Sequence, residues 1–396
     1  MLIHRAYRFR VYPTKEQSAR LLRWEGALRF LWNLAHEQRL MGLARTDKKY
    51  PSAFAQSLEL TQLRAELPWL ADVPRDACEA VLTDLDKAWQ RCFSKLARRP
   101  RWKCRALDAV GFSAPQARDW RCAGGKLVFP KLGALRVVEH RARQGKRRSA
   151  RILREGDQWF AALLYQDETP DPAPRDAPVI AIDRGITSML ADSDGNLTEN
   201  PQFYKRAMAR LARAQRIVSR RKKGSKNREK AKLRVMRLHR KVRRQREHFL
   251  HVQSARLAKS HGVVVIEKLN VAGMIRSNLS RSIADAGWSR FAEMLRYKLA
   301  WSGGTLIEVP AAYSSQTCSA CGAVDAASRK AERFCCTGCG HQDHADLNAA
   351  KVLLTRANRS GLPVDGILPE GTGRSRKAKV KLRTPRSRTQ QETVDV

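Results

Sequence analysis

The stretch "TCSACGAVDAASRKAERFCCTGCG", residues 317–340, holds five of the nine cysteines within 22 positions. Two copies of one unit, C-x-x-C-G, can be read in it. Each is a tight turn that aims two thiolates at one metal, with a glycine relieving the backbone just after the second sulfur. The repeat selects Cys318, Cys321, Cys336 and Cys339 and leaves Cys335 as a spare. Two knuckles separated by 14 residues have the spacing of one structural Zn²⁺ site, whereas a redox dithiol would need only one knuckle. His341 and His344 could replace a thiolate in principle, but the doubled turn favours the four sulfurs. The other cysteines, Cys78, Cys92, Cys104 and Cys122, are scattered and read as small buried or idle thiols of a reducing compartment.

Three acidic residues stand where a second chemistry could be done. "VIAID" is an apolar run ending in Asp183, "GVVVIE" is another ending in Glu267, and "ADLNAAKVLL" puts Asp346 at the head of a helix just after the cysteines. A single acid at a strand end is ordinarily a cap or an ion-pair partner. Three of them in apolar surroundings, where an unpaired carboxylate is costly to bury, ask for compensation by metal. Carboxylates at the ends of adjacent strands, joined by a third from a helix, can hold two divalent cations about 4 Å apart. One ion then activates the water that attacks phosphorus and the other stabilises the leaving 3′-oxygen.

The elements that must position these groups follow from hydrophobic pattern. "HRAYRFRVYP" alternates as a strand, and "PTKEQ" opens a helix with Thr14 as N-cap and Gln17 closing a capping box. Leu21, Trp24, Leu28, Leu31 and Ala35 recur at helical spacing. Helical texture returns from about 53 to 105. The runs "KLVFPKLGALRVVEH", "RSARILREG" and "DQWFAALLYQDE" are short alternating strands of a small barrel or sheet, which the N-terminal strand could join. "TPDPAPRDAP", residues 169–178, reads as a linker. Beyond it the pattern predicts the strand ending in Asp183, a tight turn, and a second strand closed by "SDGN". Two helices meeting at "KKGSKN" follow, then the strand ending in Glu267, the amphipathic helix "WSRFAEMLRYKLAWSGG", the strand "TLIEVP" and a last helix. The basic tail from about Pro369 reads as disordered.

Charge bounds the partners. With 77 Lys and Arg against 38 Asp and Glu, the 396-residue chain carries a formal net charge of +39, far beyond what solubility needs. Such a field wants a polyanion, and nucleic acid is favoured over an anionic membrane. The excess is densest between Pro201 and Ser260, with 22 Lys and Arg against only Glu229 and Glu247. There the run Arg220, Arg221, Lys222 and Lys223 is a candidate nucleic-acid contact. No apolar run is long enough to cross a bilayer, and "MLIHRAYRFR" lacks the apolar core of a signal peptide, so a cytoplasmic protein is expected.

The blocks "AIDRGITSMLADSDG", "VVVIEKLNV", "SSQTCSACG", "CTGCG" and "ADLNAAK", in that order, together with the opening "YRFRVYPTKEQ", closely resemble the TnpB family. These are transposon-encoded RNA-guided nucleases related to type V CRISPR effectors. The resemblance is dense over roughly 178–358, weaker over 1–175 and absent in the tail. It implies an α/β multidomain protein: an RNase H-like (RuvC) nuclease domain over 173–317 and 340–368, with a zinc-binding module at 318–339. It further implies an N-terminal β-barrel-like wedge (1–14 and 106–172) with an inserted helical recognition domain (15–105). The family's acidic triad falls on Asp183, Glu267 and Asp346, and its zinc ligands on Cys318, Cys321, Cys336 and Cys339. The implied partners are a guide RNA and single- or double-stranded target DNA in a prokaryotic cell, with the protein on the nucleoid when bound to DNA. Base pairing supplies sequence choice in such proteins, while the protein holds the heteroduplex by shape and backbone.

Two departures stand out. Arg184 follows the first acid where the family commonly has a small or aliphatic residue, and His344 lies two residues before Asp346. Because no acid of the triad is missing, an RNA-guided binder without cleavage is disfavoured. The basic N-terminal half disfavours a guide-independent nuclease, and no tyrosine lies in a motif that recommends a strand transferase.

Overall fold

The computed structural model describes residues 1–47, 49–105 and 111–359. Residues 360–368 and the expected disordered tail lie outside the described residues. The chain divides into two compact units. One comprises Met1–Pro174, Asn200–Arg256 and Asn270–Gly303; the other comprises Arg175–Glu199, Leu257–Leu269 and the chain from Gly304 on.

The first unit is built on a seven-stranded antiparallel sheet. Strand Leu2–Tyr12 pairs along one side with Gln158–Glu168, from Leu2 opposite Glu168 to Val11 opposite Trp159, and on the other with Gly133–Val138. Its alternation buries Ile3, Tyr7, Phe9 and Val11. The following helix, Lys15–Ala44, starts on the expected capping box: Thr14 Oγ1 accepts from Gln17 N at 3.2 Å and Gln17 Oε1 accepts from Thr14 N at 3.0 Å. Leu21, Trp24, Leu28, Leu31 and Ala35 all face the core.

Helices Ala53–Glu66, Pro68–Ala71 and Arg75–Phe93 pack beside it. The helical texture expected out to residue 105 stops at Phe93. Lys95 takes a left-handed backbone conformation (φ 57°) and Pro100 lacks the N–H a helix needs, so 94–105 runs as turns and irregular chain.

Among these helices the Arg39 guanidinium is wholly buried, held by Asp86 Oδ1 at 2.9 Å and donating from Nε to Gln56 Oε1 at 3.0 Å. Removing one partner of a buried ion pair strands the other. Asp86→Ala should therefore cost about 3 kcal/mol of stability, measured by denaturant unfolding; a loss under about 0.5 kcal/mol would show the pair to be dispensable.

The basic segment folds as two helices, Phe203–Arg220 and Lys226–Ser260. Arg237 and Arg240 pair with Asp157 at 2.7 and 3.2 Å, Arg243 with Glu155 at 2.7 Å and Arg246 with Asp285 at 2.7 Å, so part of the excess is balanced within the protein. Arg220, Arg221, Lys222 and Lys223 lie exposed at the bend between the helices.

The second unit carries a five-stranded sheet in the order Leu197–Glu199, Ser188–Asp192, Val179–Asp183, Val263–Lys268, Thr305–Pro310. Neighbours among the first three strands are antiparallel, and the last two run parallel to Val179–Asp183. Numbered along the chain the order is 3-2-1-4-5 with strands 1, 4 and 5 parallel, the topology of an RNase H-like sheet. Helix Ala345–Arg359 packs on it, its stripe of Leu353 and Ala357 meeting Ala181, Val265, Ile307 and Val309. Among the described residues no helix is long and apolar enough to cross a membrane.

Candidate active site and metal centre

Parallel pairing puts Ile182 opposite Ile266, so the next residues, Asp183 and Glu267, stand side by side at the carboxyl ends of two adjacent strands. That is where ligands of open α/β sheets bind. The run-out from Asp183 is tight: a Cβ on Gly185 would lie 2.5 Å from Ser188 O and 3.5 Å from Asp346 Oδ2. Asp346 reaches this point because it shares the packed helix face with Ala349, Ala350, Leu353 and Ala357, about two turns before the sheet contact at Leu353. Its place in the first helical turn favours negative charge.

Glu267 and Asp346 are buried, while Asp183 is partly exposed at the rim. Desolvation by the surrounding protein, a hydrogen bond shared with Glu267, and the charges of Glu267 and Asp346 raise the Asp183 carboxyl well above the usual carboxylate range; Arg329 opposes the shift. Positive groups temper the cluster. Arg184 N donates to Glu267 Oε1 at 2.9 Å, its buried guanidinium donates to Glu267 O, and Arg329 Nη2 donates to Asp346 Oδ1 at 2.9 Å. The departure at 184 is thus a buried cation bracing the second acidic strand. The departure at 344 is a cap, since His344 Nδ1 accepts from Asp346 N at 3.2 Å.

The three carboxylates do not close as tightly as the cysteines do. Among the described residues only Cys318, Cys321, Cys336 and Cys339 form a group of three or more candidate ligands within 4.8 Å of one another. Like charges repel, and Arg329 draws Asp346 to itself, so such a set needs cations between its members to contract.

In the cysteine module the two knuckles repeat each other. Gly322 N donates to Cys318 O and Gly340 N to Cys336 O, both at 3.0 Å, and the two glycines sit at φ 78° and 74°, where a side chain would be strained. The sulfurs of Cys318 and Cys339 are 3.7 Å apart and those of Cys321 and Cys336 3.6 Å. A tetrahedral Zn²⁺ at about 2.3 Å from each sulfur spaces them about 3.8 Å apart, so the four residues fit that ion. Main-chain N–H groups of Cys339 and then Gly338 lower the Cys336 thiol to about 6 and hold it ready as a thiolate. Cys335 is exposed and outside the set; His341 and His344 are outside it too.

Apart from its sulfurs the module's buried cluster is Phe334 and Ala345, too little to fold on its own. It is fastened to the helix of Asp346 by the buried Asn348, whose Oδ1 accepts from Ser319 N at 2.9 Å and whose Nδ2 donates to Thr317 O at 2.7 Å. Strand Arg333–Cys335 pairs with Gln342–His344, which leads straight into the helix. The module thereby sets Arg329 against Asp346.

Fold and site together define an RNase H-like α/β protein with a four-cysteine module. A family described as "Probable transposase" matches residues 162–278, "Cas12f1-like, TNB domain" matches 288–353 and a "Helix-turn-helix domain" matches 1–46. A Streptomyces pristinaespiralis protein named "Putative RNA-guided DNA endonuclease" is 34% identical over 94% of this chain and 95% of its own length. The Escherichia coli K12 protein named "Putative RNA-guided DNA endonuclease InsQ" is 30% identical over 88% of this chain and 91% of its own. A Cas12f1 chain, solved in a complex with sgRNA and target DNA, superposes with a TM-score of 0.53 at 12% identity, covering 89% of this chain and 98% of that one. The chain belongs to the TnpB family.

Proposed function

We propose that this protein is an RNA-guided DNA endonuclease of a transposable element, cutting target DNA beside a short adjacent motif at Asp183, Glu267 and Asp346. The observation that carries the proposal is the gathering of these carboxylates where two parallel strands end, an acidic cluster that suits divalent cations. Two Mg²⁺ ions held there would generate a nucleophile from water and stabilise the leaving oxygen. The chain's own part is positional. Asp183 and Glu267 present ligands from rigid strand ends, Asp346 does so from a packed helical turn, and the Arg329 fork is at hand for phosphate charge.

One Zn²⁺ on Cys318, Cys321, Cys336 and Cys339 would hold the module that carries Arg329. In this reading 173–317 and 340–368 form the nuclease domain and 318–339 the zinc module. Residues 1–14 and 106–172 form the wedge and 15–105 the recognition domain, gripping the guide RNA and the DNA it pairs with. The test is to purify the full chain and sequence the RNA that comes with it. One defined RNA species is the expected result; none, or a random population, sinks the guided reading.

Two predictions accompany it. Arg329→Ala should slow cleavage about 10²-fold, the scale of losing one donor to developing charge, while RNA affinity stays within a few-fold. Wild-type cleavage by that variant would leave Arg329 only a partner for Asp346. Replacing Arg220, Arg221, Lys222 and Lys223 together with alanine should make the log–log salt dependence of nucleic-acid binding shallower by up to about 3.6, at about 0.9 per duplex phosphate. An unchanged slope would make the bend a merely solvated one.

A further inference from the structure

Between the last recognition helix and residue 105 the chain forms a basic, aromatic strap. From Ser94 to Arg105 it carries six Lys and Arg and no Asp or Glu. The strap is anchored. Trp32 Nε1 donates to Arg101 O at 3.2 Å, Asn33 Nδ2 donates to Lys103 O at 3.0 Å, and Lys103 N donates back to Asn33 Oδ1 at 2.8 Å. One asparagine thus satisfies both main-chain groups of Lys103 and pins this stretch to the first helix. Lys103 Nζ lies 4.6 Å from the centre of the Trp32 ring.

With its backbone fixed, the strap turns its side chains outward. Lys95, Arg98 and Arg99 are exposed. Trp102 is 48% exposed, propped edge-on against His36 at 5.1 Å and 70°. His36 in turn packs on Trp89, which stacks with the half-exposed Phe93 at 5.3 Å. Burial, then the charges of Arg99 and Arg39, hold the His36 imidazole below its ordinary value, so a neutral ring backs Trp102. An exposed indole costs solubility unless something covers it, and phosphate-seeking cations on either side say what does.

We propose that Phe93–Arg105 is a binding site for an unpaired stretch of the guide RNA, with Trp102 as a stacking platform for one base and Arg98 and Arg99 on the flanking phosphates. The inference rests on the RNA-guided reading above. RNA is the occupant because stacking on a side chain needs an unstacked base: intact duplex DNA offers none, whereas a guide carries unpaired nucleotides before any target is found.

The test measures affinity of the full chain for its co-purified RNA against salt, with Trp102→Leu, Trp102→Phe and the double variant Arg98→Ala/Arg99→Ala. Trp102→Leu should weaken binding about 5- to 100-fold without changing the salt slope, and Trp102→Phe should recover most of the loss. The double variant, at exposed positions, should make the slope shallower by about 1.4. Wild-type affinity and slope in the Leu and double variants overturn the site. If they hold RNA normally but their RNA complexes lose target DNA, the occupant is a DNA strand and the assignment to RNA is overturned. A wild-type chain that binds no defined RNA is a different failure, that of the guided reading itself, and removes this site's ligand with it.

Discussion

Asp183→Asn and Glu267→Gln should each abolish target cleavage, lowering the rate at least about 10³-fold while guide RNA affinity stays within a few-fold. An amide keeps the shape of the carboxylate and loses the charge that holds a divalent cation, and that cation contributes several kcal/mol of transition-state charge stabilisation. The amide variants also permit a readout independent of activity. Asp183 sits among the charges of Glu267 and Asp346, so in chelator the Asn variant should melt higher than wild type through relieved repulsion. Added Mg²⁺ should raise the melting temperature of wild type and do little for the variant. Cleavage at the wild-type rate by either variant would falsify the assignment of the acids.

The second large effect separates two adjacent cysteines. Cys336→Ser should lose zinc and, with it, the folded module, whereas Cys335→Ser should keep about one zinc per chain and most of the activity. A structural zinc contributes on the order of 10 kcal/mol to a small domain, and this module has little else: Phe334 and Ala345 complete its buried cluster. Losing it releases Arg329 from Asp346 and frees Ser319 and Thr317 from Asn348, so cleavage should fall about 10²-fold or more. Metal analysis of the two purified variants distinguishes the registers. If Cys335→Ser is the one that arrives without zinc, the second knuckle has been read one residue out.

How much of this was legible in the sequence depended on whether a feature is local. The knuckles show in a repeat of five residues, and their sulfurs do converge. Asp183 and Glu267 show as acids closing apolar runs, and the structure sets those runs side by side in parallel. The Thr14–Gln17 box is local as well. What stayed hidden depends on distant partners. Nothing about Arg329, one of two arginines between the knuckles, signals that folding sets it on Asp346. Nor does any pattern show that Asn348 clamps the first knuckle, that Arg184 braces the strand of Glu267, or that Asn33 pins Lys103 across 70 residues. Single long-range side-chain pairs leave no period to read. The misjudged helix past Phe93 has a different, local origin: Pro100 stands in the sequence against a helix, and Lys95 takes a left-handed backbone conformation just after it ends.

The central claim is that a bound RNA chooses where the acids at Asp183, Glu267 and Asp346 cut. It is tested most directly by replacing the guide segment of the co-purified RNA, reassembling the complex and incubating it in Mg²⁺ with a plasmid matching the new segment. The cut should move to the new target, disappear from the old one, and vanish with EDTA or with Asp183→Asn. Cutting that ignores the exchanged segment, or that persists in the Asn variant, would contradict it.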